Sequence, residues 1–153
     1  MKRLFLFLIL VLTAVFSSGC TGGGSDTVGV VPEERTWLAS ATEYELRDHH
    51  PEMRPQEGYC WLRVTLRVSN LTQKEQYLFK RFYFVAANGN EYSQTGLIRS
   101  NFPAYYKPQQ VLSGTVYFEI PESYDPSQGV VIFSATGNTK DTVIELAGVS
   151  EAP

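Results

Sequence analysis

Residues 60–70 read CWLRVTLRVSN, and no other stretch limits the fold so strongly. Cys60, Leu62, Val64, Leu66 and Val68 fall at every second position, with Trp61, Arg63, Thr65, Arg67 and Ser69 between them. Successive side chains of an extended chain point to opposite faces, so this pattern gives one apolar and one mostly polar face. β-Branched residues on the apolar side strengthen the reading. A helical repeat would scatter the same residues around a cylinder. A strand buried on one face needs paired neighbours and a second layer to cover it. Residues 60–70 therefore commit the chain to sheet.

The rest of the chain supplies the neighbours. Residues 37–46 (WLASATEYEL) alternate loosely and read as a first strand. Residues 77–87 (YLFKRFYFVAA) read as one strand that turns through Asn88-Gly89-Asn90 into a hairpin with residues 91–94. Residues 111–120 form a strand ended by Pro121, with Val116, Phe118 and Ile120 on its inner face. Residues 130–135 (VVIFSA) are short and apolar, as a central strand is. Gly137-Asn138 turns into a last strand at 142–147, where Val143 or Ile144 sets the buried face. About seven short strands with no helix of normal length predict an all-β, antiparallel sandwich or barrel. The domain is expected over residues 35–149, with 150–153 as a C-terminal tail. Residues 96–110 form the main irregular loop.

The N-terminus is different. Met1-Lys2-Arg3 is positive, residues 4–16 (LFLFLILVLTAVF) are apolar except for Thr13, and Ser17-Ser18-Gly19 are small. This is the layout of a secretory signal, expected to be removed as residues 1–19. The apolar run is too short for a spanning helix, which needs about 20 residues. Ser18-Gly19-Cys20 resembles the cut site of a prokaryotic lipoprotein signal. That resemblance implies a lipidated Cys20 as the new N-terminus and an anchor on the outer face of the cell membrane. The plainer reading of Cys20 is a thiol at the edge of an ordinary signal. Residues 20–34 carry that cysteine and a Gly/Ser-rich spacer. As a flexible coil, residues 21–34 would span about 20 Å.

Export fixes two other expectations. Removing residues 1–19 takes Lys2 and Arg3 from 13 basic residues and nothing from 16 acidic ones, which leaves a charge of −5. Such a domain has no electrostatic reason to bind nucleic acid. With Cys20 lipidated, Cys60 has no partner in the chain, so the core rather than disulfides holds the domain. Cys60 itself reads as a small buried hydrophobe, with a reactive or dimer-forming thiol as the minor reading.

Three stretches carry a family resemblance: the strand at 61–70, then Phe82-x-Phe84 with Asn88-Gly89-Asn90-Glu91-Tyr92, and Leu112-x-Gly114-x-Val116-x-Phe118-x-Ile120-Pro121. Together they resemble a telokin-like, immunoglobulin-fold domain of unknown function found in prokaryotic lipoproteins. The resemblance covers roughly residues 36–146. It implies export, anchoring and an immunoglobulin-like β-sandwich, and it implies no catalytic residues.

Chemistry-bearing motifs are few. His49 and His50 are adjacent, and on an extended chain they point apart. With Met53 and Cys60 nearby they raise a copper site, which needs converging His and Cys ligands. The spacing does not match the usual cysteine–histidine–methionine loop, and a solvated loop is the plainer reading. No G-x-S-x-G accompanies the two histidines. Glu43 and Glu45 share a face of an extended strand and could pair, or simply line a solvated face. Gly22-Gly23-Gly24 precedes no G-K-[ST] and reads as spacer. Asn70-Leu71-Thr72 is an N-glycosylation acceptor triplet, or Asn70 is a plain turn residue. The loop 101–109 (NFPAYYKPQ) brings Phe102, Tyr105 and Tyr106 together. It either recognises a partner or folds its aromatics over an open end of the sandwich.

The sequence thus predicts no enzyme and no cofactor. It predicts an exported, lipid-anchored binding or envelope-structural module with an unknown protein or glycan partner. The alternative is an extracytoplasmic metal-binding protein or enzyme using His49, His50 or Cys60.

Overall fold

Alternation becomes a two-layer sandwich in the computed structural model, which describes residues 35–152. The first sheet contains β1 (Trp37–Arg47), β2 (Tyr59–Asn70), β7 (Val111–Pro121) and β10 (Ser150–Glu151), in the order β10-β1-β2-β7. The second contains β4 (Lys80–Val85), β5 (Glu91–Ser93), β8 (Val130–Ala135) and β9 (Thr142–Glu145), in the order β5-β4-β8-β9. A two-stranded ribbon, β3 (Gln76–Tyr77) with β6 (Tyr105–Tyr106), lies at one end. All named pairings are antiparallel except β1 with β10. The chain starts in the first sheet, crosses to the second at β4, returns at β7 beside β2, and crosses again at β8 beside β4.

The core lies between the sheets. The even-numbered set of β2 from Cys60 to Val68 is buried, facing Val116, Phe118 and Ile120 across the β2–β7 register and Phe82, Phe84, Val131 and Phe133 from the other sheet. Phe82 stacks on Phe102 and Phe133, with ring centroids 5.8 and 5.2 Å away. β8 is central, between β4 and β9. Thr142 and Ile144 set the inner face of β9, with Leu146 buried just beyond its end, so Val143 points outward.

The loose alternation of β1 has a structural cause. The register shifts between Ala41 and Glu43. The extra residue flips the phase, so Trp37 and Ala39 point inward before it and Tyr44 after it.

Two expectations need correction. Residues 77–87 do not form one strand: Gln76–Tyr77 belongs to the end ribbon, and β4 begins at Lys80. The segment from Ser150 is no tail. β10 pairs in parallel with Glu43 and Tyr44, and Ala152 N–H donates to the Tyr44 carbonyl. Two residues of parallel pairing are too short to leave a periodic signature.

The start of β1 is clasped to the second sheet. Thr36 and Trp37 N–H both donate to Asn138 Oδ1 at 2.9 Å, and Asn138 Nδ2 donates back to the Trp37 carbonyl. Gly137 makes this approach possible: it sits at φ +95°, and a Cβ there would lie 2.7 Å from Thr36 Oγ1. The expected Gly137-Asn138 turn thus also closes the domain.

The exposed edge of β7 is strapped by residues 94–101. Gln94 bridges to Phe118 and donates its N–H to the Phe82 carbonyl, Thr95 N–H donates to the Tyr117 carbonyl, and Thr115 N–H donates to Asn101 Oδ1 at 2.7 Å. Gly114 lies under this strap, where a Cβ would meet the Phe102 ring at 2.7 Å and Asn101 Oδ1 at 2.8 Å. The strap also covers Trp61. On the otherwise polar face of β2, Trp61 is buried with Ile98, Tyr117 and Met53.

Candidate functional site

The loops that follow β2 and β8, the β3–β6 ribbon and the start of β1 meet at one end of the sandwich. Asn70 organises them. Its Nδ2 donates to the carbonyls of Lys74, Tyr106 and Lys107 at 2.8, 3.3 and 3.0 Å, and its Oδ1 accepts from Thr72 N–H and Oγ1–H. Leu71 N–H donates to the Thr36 carbonyl, Leu78 N–H to the Ala104 carbonyl and Thr136 N–H to the Phe79 carbonyl. These bonds fix five segments to one another.

This arrangement decides what Asn70 does. The residue is 1% exposed, and the amide nitrogen that a glycan would join is occupied by three carbonyls. Glycosylation of the folded domain at Asn70 is sterically closed, and the turn reading of that residue fits the structure.

The aromatic loop divides. Tyr106 is fully buried, standing edge-on to Trp37, and Phe102 is buried against Phe82. Burial pushes the Tyr106 hydroxyl up to about 12. These two rings close the open end of the core and are not available to a partner. Tyr105 is 62% exposed. Its ring meets Tyr77 edge to face at 5.1 Å, because the two residues pair directly across the β3–β6 ribbon. Phe79, beyond Tyr77, is also exposed. The exposed aromatic group is therefore Tyr77, Phe79 and Tyr105. Sequence reasoning places Tyr77 and Phe79 inside a strand. The signal that could have found them is the aromatic density of YLFKRFYF, more than one inner face can take up.

Behind these rings Lys80 is half-buried, its Nζ 5.3 Å from the Phe102 ring centroid. Burial holds its amine below the ordinary lysine value. Such an end offers ring faces, phenolic hydroxyls and cations on a backbone fixed by hydrogen bonds.

The residues of the alternative reading do not converge. His49 is exposed and its Nδ1 lies 2.6 Å from Asp48 Oδ1. The His50 ring packs edge to face on Tyr117, and its Nδ1 accepts from Glu52 N–H. Met53 packs in the Trp61 cluster. Cys60 is a buried free thiol facing the core, and burial followed by the Glu122 charge raises its pKa. Among the described residues no group of three or more His, Cys, Asp or Glu side chains is placed to hold a metal ion. Glu43 and Glu45 do share a face, with Arg63 Nη1 between them at 3.2 and 3.0 Å, so they form an ion-pair group. Cys20 lies outside the described residues.

No protein-family model matches the chain, and neither does any curated protein. Two solved structures are similar to it. One is an uncharacterized β-sandwich protein from Clostridium difficile 630, at 12% identity and a TM-score of 0.44, covering 83% of this chain and 98% of that one. The other is a conserved hypothetical protein from Bacillus anthracis, at 14% identity and a TM-score of 0.44, covering 72% of this chain and 99% of that one.

Proposed function

We propose that this chain is an exported, lipid-anchored cell-surface protein whose sandwich is an immunoglobulin-like binding or envelope-structural module. The order β1-β2-β7 in one sheet and β5-β4-β8-β9 in the other supports the immunoglobulin-like reading, because β7 returns beside β2 and β8 beside β4. The signal layout and Cys20 support export and anchoring. The observation that carries the binding role is the exposed Tyr77–Tyr105 pair with Phe79, displayed at a hydrogen-bonded end. Exposed aromatics on a rigid frame are favoured contact residues, since they offer large area at little entropic cost.

Two measurements test the reading. Membrane partition of the full chain in its own cells should be lost in Cys20→Ser. Cross-linking of the anchored protein should recover a recurrent component at the cell surface that a Tyr77→Ala/Tyr105→Ala variant no longer recovers. Unchanged partition in Cys20→Ser would remove the anchor. A recurrent component kept by the tyrosine variant would move the binding surface elsewhere.

A further inference from the structure

The described domain is electrically polar along its strands. At the ribbon end, Lys74, Lys107 and Lys140 lie in exposed loops and Arg81 is exposed near the start of β4. Glu75 and Asp141 are the exposed carboxylates among them. At the opposite end the balance reverses, with Glu57, Glu122, Asp125, Glu145 and Glu151 exposed. β7 has 11 residues, and at about 3.3 Å per residue its ends lie about 33 Å apart. The Debye length at physiological salt is about 8 Å. A surface touching the ribbon end is thus screened from the acidic end, and the negative net charge of the whole domain does not decide what binds there.

The basic end is also apolar. Leu71, Tyr77, Phe79 and Tyr105 are all exposed there, at 45, 54, 57 and 62%. Lysines mixed with Tyr, Phe and Leu suit the boundary between anionic headgroups and acyl chains, where an aromatic ring has one wet and one apolar side.

The position of the N-terminus adds a second argument. The chain enters the domain at this same end, through Thr36 and Trp37, which are tied to Asn138 and, through the Thr36 carbonyl, to Leu71. The 34 residues before Arg35 include the apolar run at 4–16 and Cys20. An anchor at Cys20 would stand only 15 positions before Arg35, which brings the ribbon end nearer the bilayer than the acidic end.

We infer that the ribbon end, built around Tyr77, Phe79 and Tyr105 with Lys74, Lys107 and Lys140, is a docking surface for an anionic phospholipid bilayer. This inference rests on the binding-module reading above and names the partner of the same surface. The sandwich sits tip-down on the membrane that anchors it, with its acidic end pointing outward.

The test uses residues 32–153, which form one compact unit with its own core, so that no lipid anchor contributes. Flotation is measured with vesicles of phosphatidylcholine alone and of phosphatidylcholine mixed equally with phosphatidylglycerol. Binding to the anionic vesicles should exceed binding to the neutral ones at least about tenfold and weaken with added salt. The Lys74→Glu/Lys107→Glu/Lys140→Glu variant should lose at least about tenfold in binding, and the milder Lys→Gln triple variant should lose part of it. Tyr77→Ser/Tyr105→Ser should weaken binding on top of that. Glu57→Lys/Glu145→Lys, at the far end, should not gain or lose affinity through the tip. Equal binding to both vesicle types, or full binding by the charge-reversed variant with an unchanged melting curve, overturns the inference.

The two readings fail separately. Loss of partition in Cys20→Ser with no vesicle affinity keeps the anchor and removes the docking surface. Vesicle affinity, with partition unchanged when Cys20→Ser is combined with Lys74→Glu/Lys107→Glu/Lys140→Glu, keeps the docking surface and removes the anchor. A protein captured in cells through Tyr77 and Tyr105, with no anionic preference in flotation, keeps the binding module and overturns the lipid assignment.

Discussion

The Tyr106 ring stands edge-on to Trp37, with centroids 5.2 Å apart and planes at 81°, and its hydroxyl finds no hydrogen-bond partner among the described residues. Trp37 is differently placed, since its Nε1–H donates to the Thr136 carbonyl. The contact between the two rings is thus held by packing, with a desolvated hydroxyl at its edge. Tyr106→Phe should leave stability at pH 7 unchanged or raise it by up to about 1 kcal/mol, whereas Tyr106→Ala should cost about 3–5 kcal/mol. Chemical unfolding of both variants checks this.

The same hydroxyl gives an alkaline limb. Its folded pKa of about 12 lies above the ordinary value of 10. A group shifted upward contributes its full stability below the unfolded pKa and loses it as pH rises toward the folded one. Stability should therefore fall between about pH 10 and about pH 12, by roughly 2–3 kcal/mol from this group. Tyr106→Phe should remove that component. An unfolding series over this range that is as steep in Tyr106→Phe as in the parent would contradict the assignment.

Asn70→Asp replaces a donor facing three carbonyls with an acceptor. It should cost about 3 kcal/mol or more and loosen the loops that hold Lys74 and Lys107. Hydrogen exchange at residues 71–78 and 104–110 should rise with it. Peptide mapping of protein from its own cells should find Asn70 unmodified.

Glu45 gives the acid limb. Its carboxylate lies 2.8 Å from Arg47 Nε in an ion pair and accepts from Arg63 Nη1 at 3.0 Å, and Arg47 leads in holding its pKa below the ordinary 4.5. A depressed carboxylate contributes stability above its unfolded pKa and loses it as pH falls through the folded one. Glu45→Gln should cost less than about 1 kcal/mol at neutral pH, because Arg47 is partly exposed and the pair is screened. It should also flatten the fall in stability below about pH 4.5. Melting temperatures from neutral to acid pH provide the measurement.

Gly114→Ala should displace the strap, because its Cβ would press on the Phe102 ring and Asn101. We expect a loss of about 1–3 kcal/mol and faster exchange at the Thr115 amide. Phe102→Leu in the same chain should recover part of the loss by making room.

Strands buried on one side were legible because their pleat writes itself into the residue order. β2 and β7 carry that alternation over their length, and the placing of Val116, Phe118 and Ile120 follows from it. β1 was legible as a strand but not in phase, since nothing in ATE marks the bulge between Ala41 and Glu43. Trp61 lies on the polar side of its own strand and is buried only because Ile98, remote in the chain, and Met53, from the loop before the strand, fold over it. The same holds at the ribbon end. Tyr105 and Tyr106 are neighbours of one residue type, and only the pairing of β3 with β6 sends one to solvent and the other to Trp37. The aromatic density of YLFKRFYF marks a surplus of rings, but which of them stay outside is set by long-range packing, and Tyr77 and Phe79 were missed for that reason.

The strap over β7 bears on how such molecules can crowd together. Of the four sheet margins in the described domain, β10, β5 and β9 have two, three and four residues. The 11-residue margin is β7, and its outward hydrogen-bonding groups at Thr115 and Tyr117 are already engaged by Asn101 and Thr95. Neighbouring copies on a crowded surface therefore meet no long open strand to extend, and the domain can be displayed densely without its copies zipping into a shared sheet.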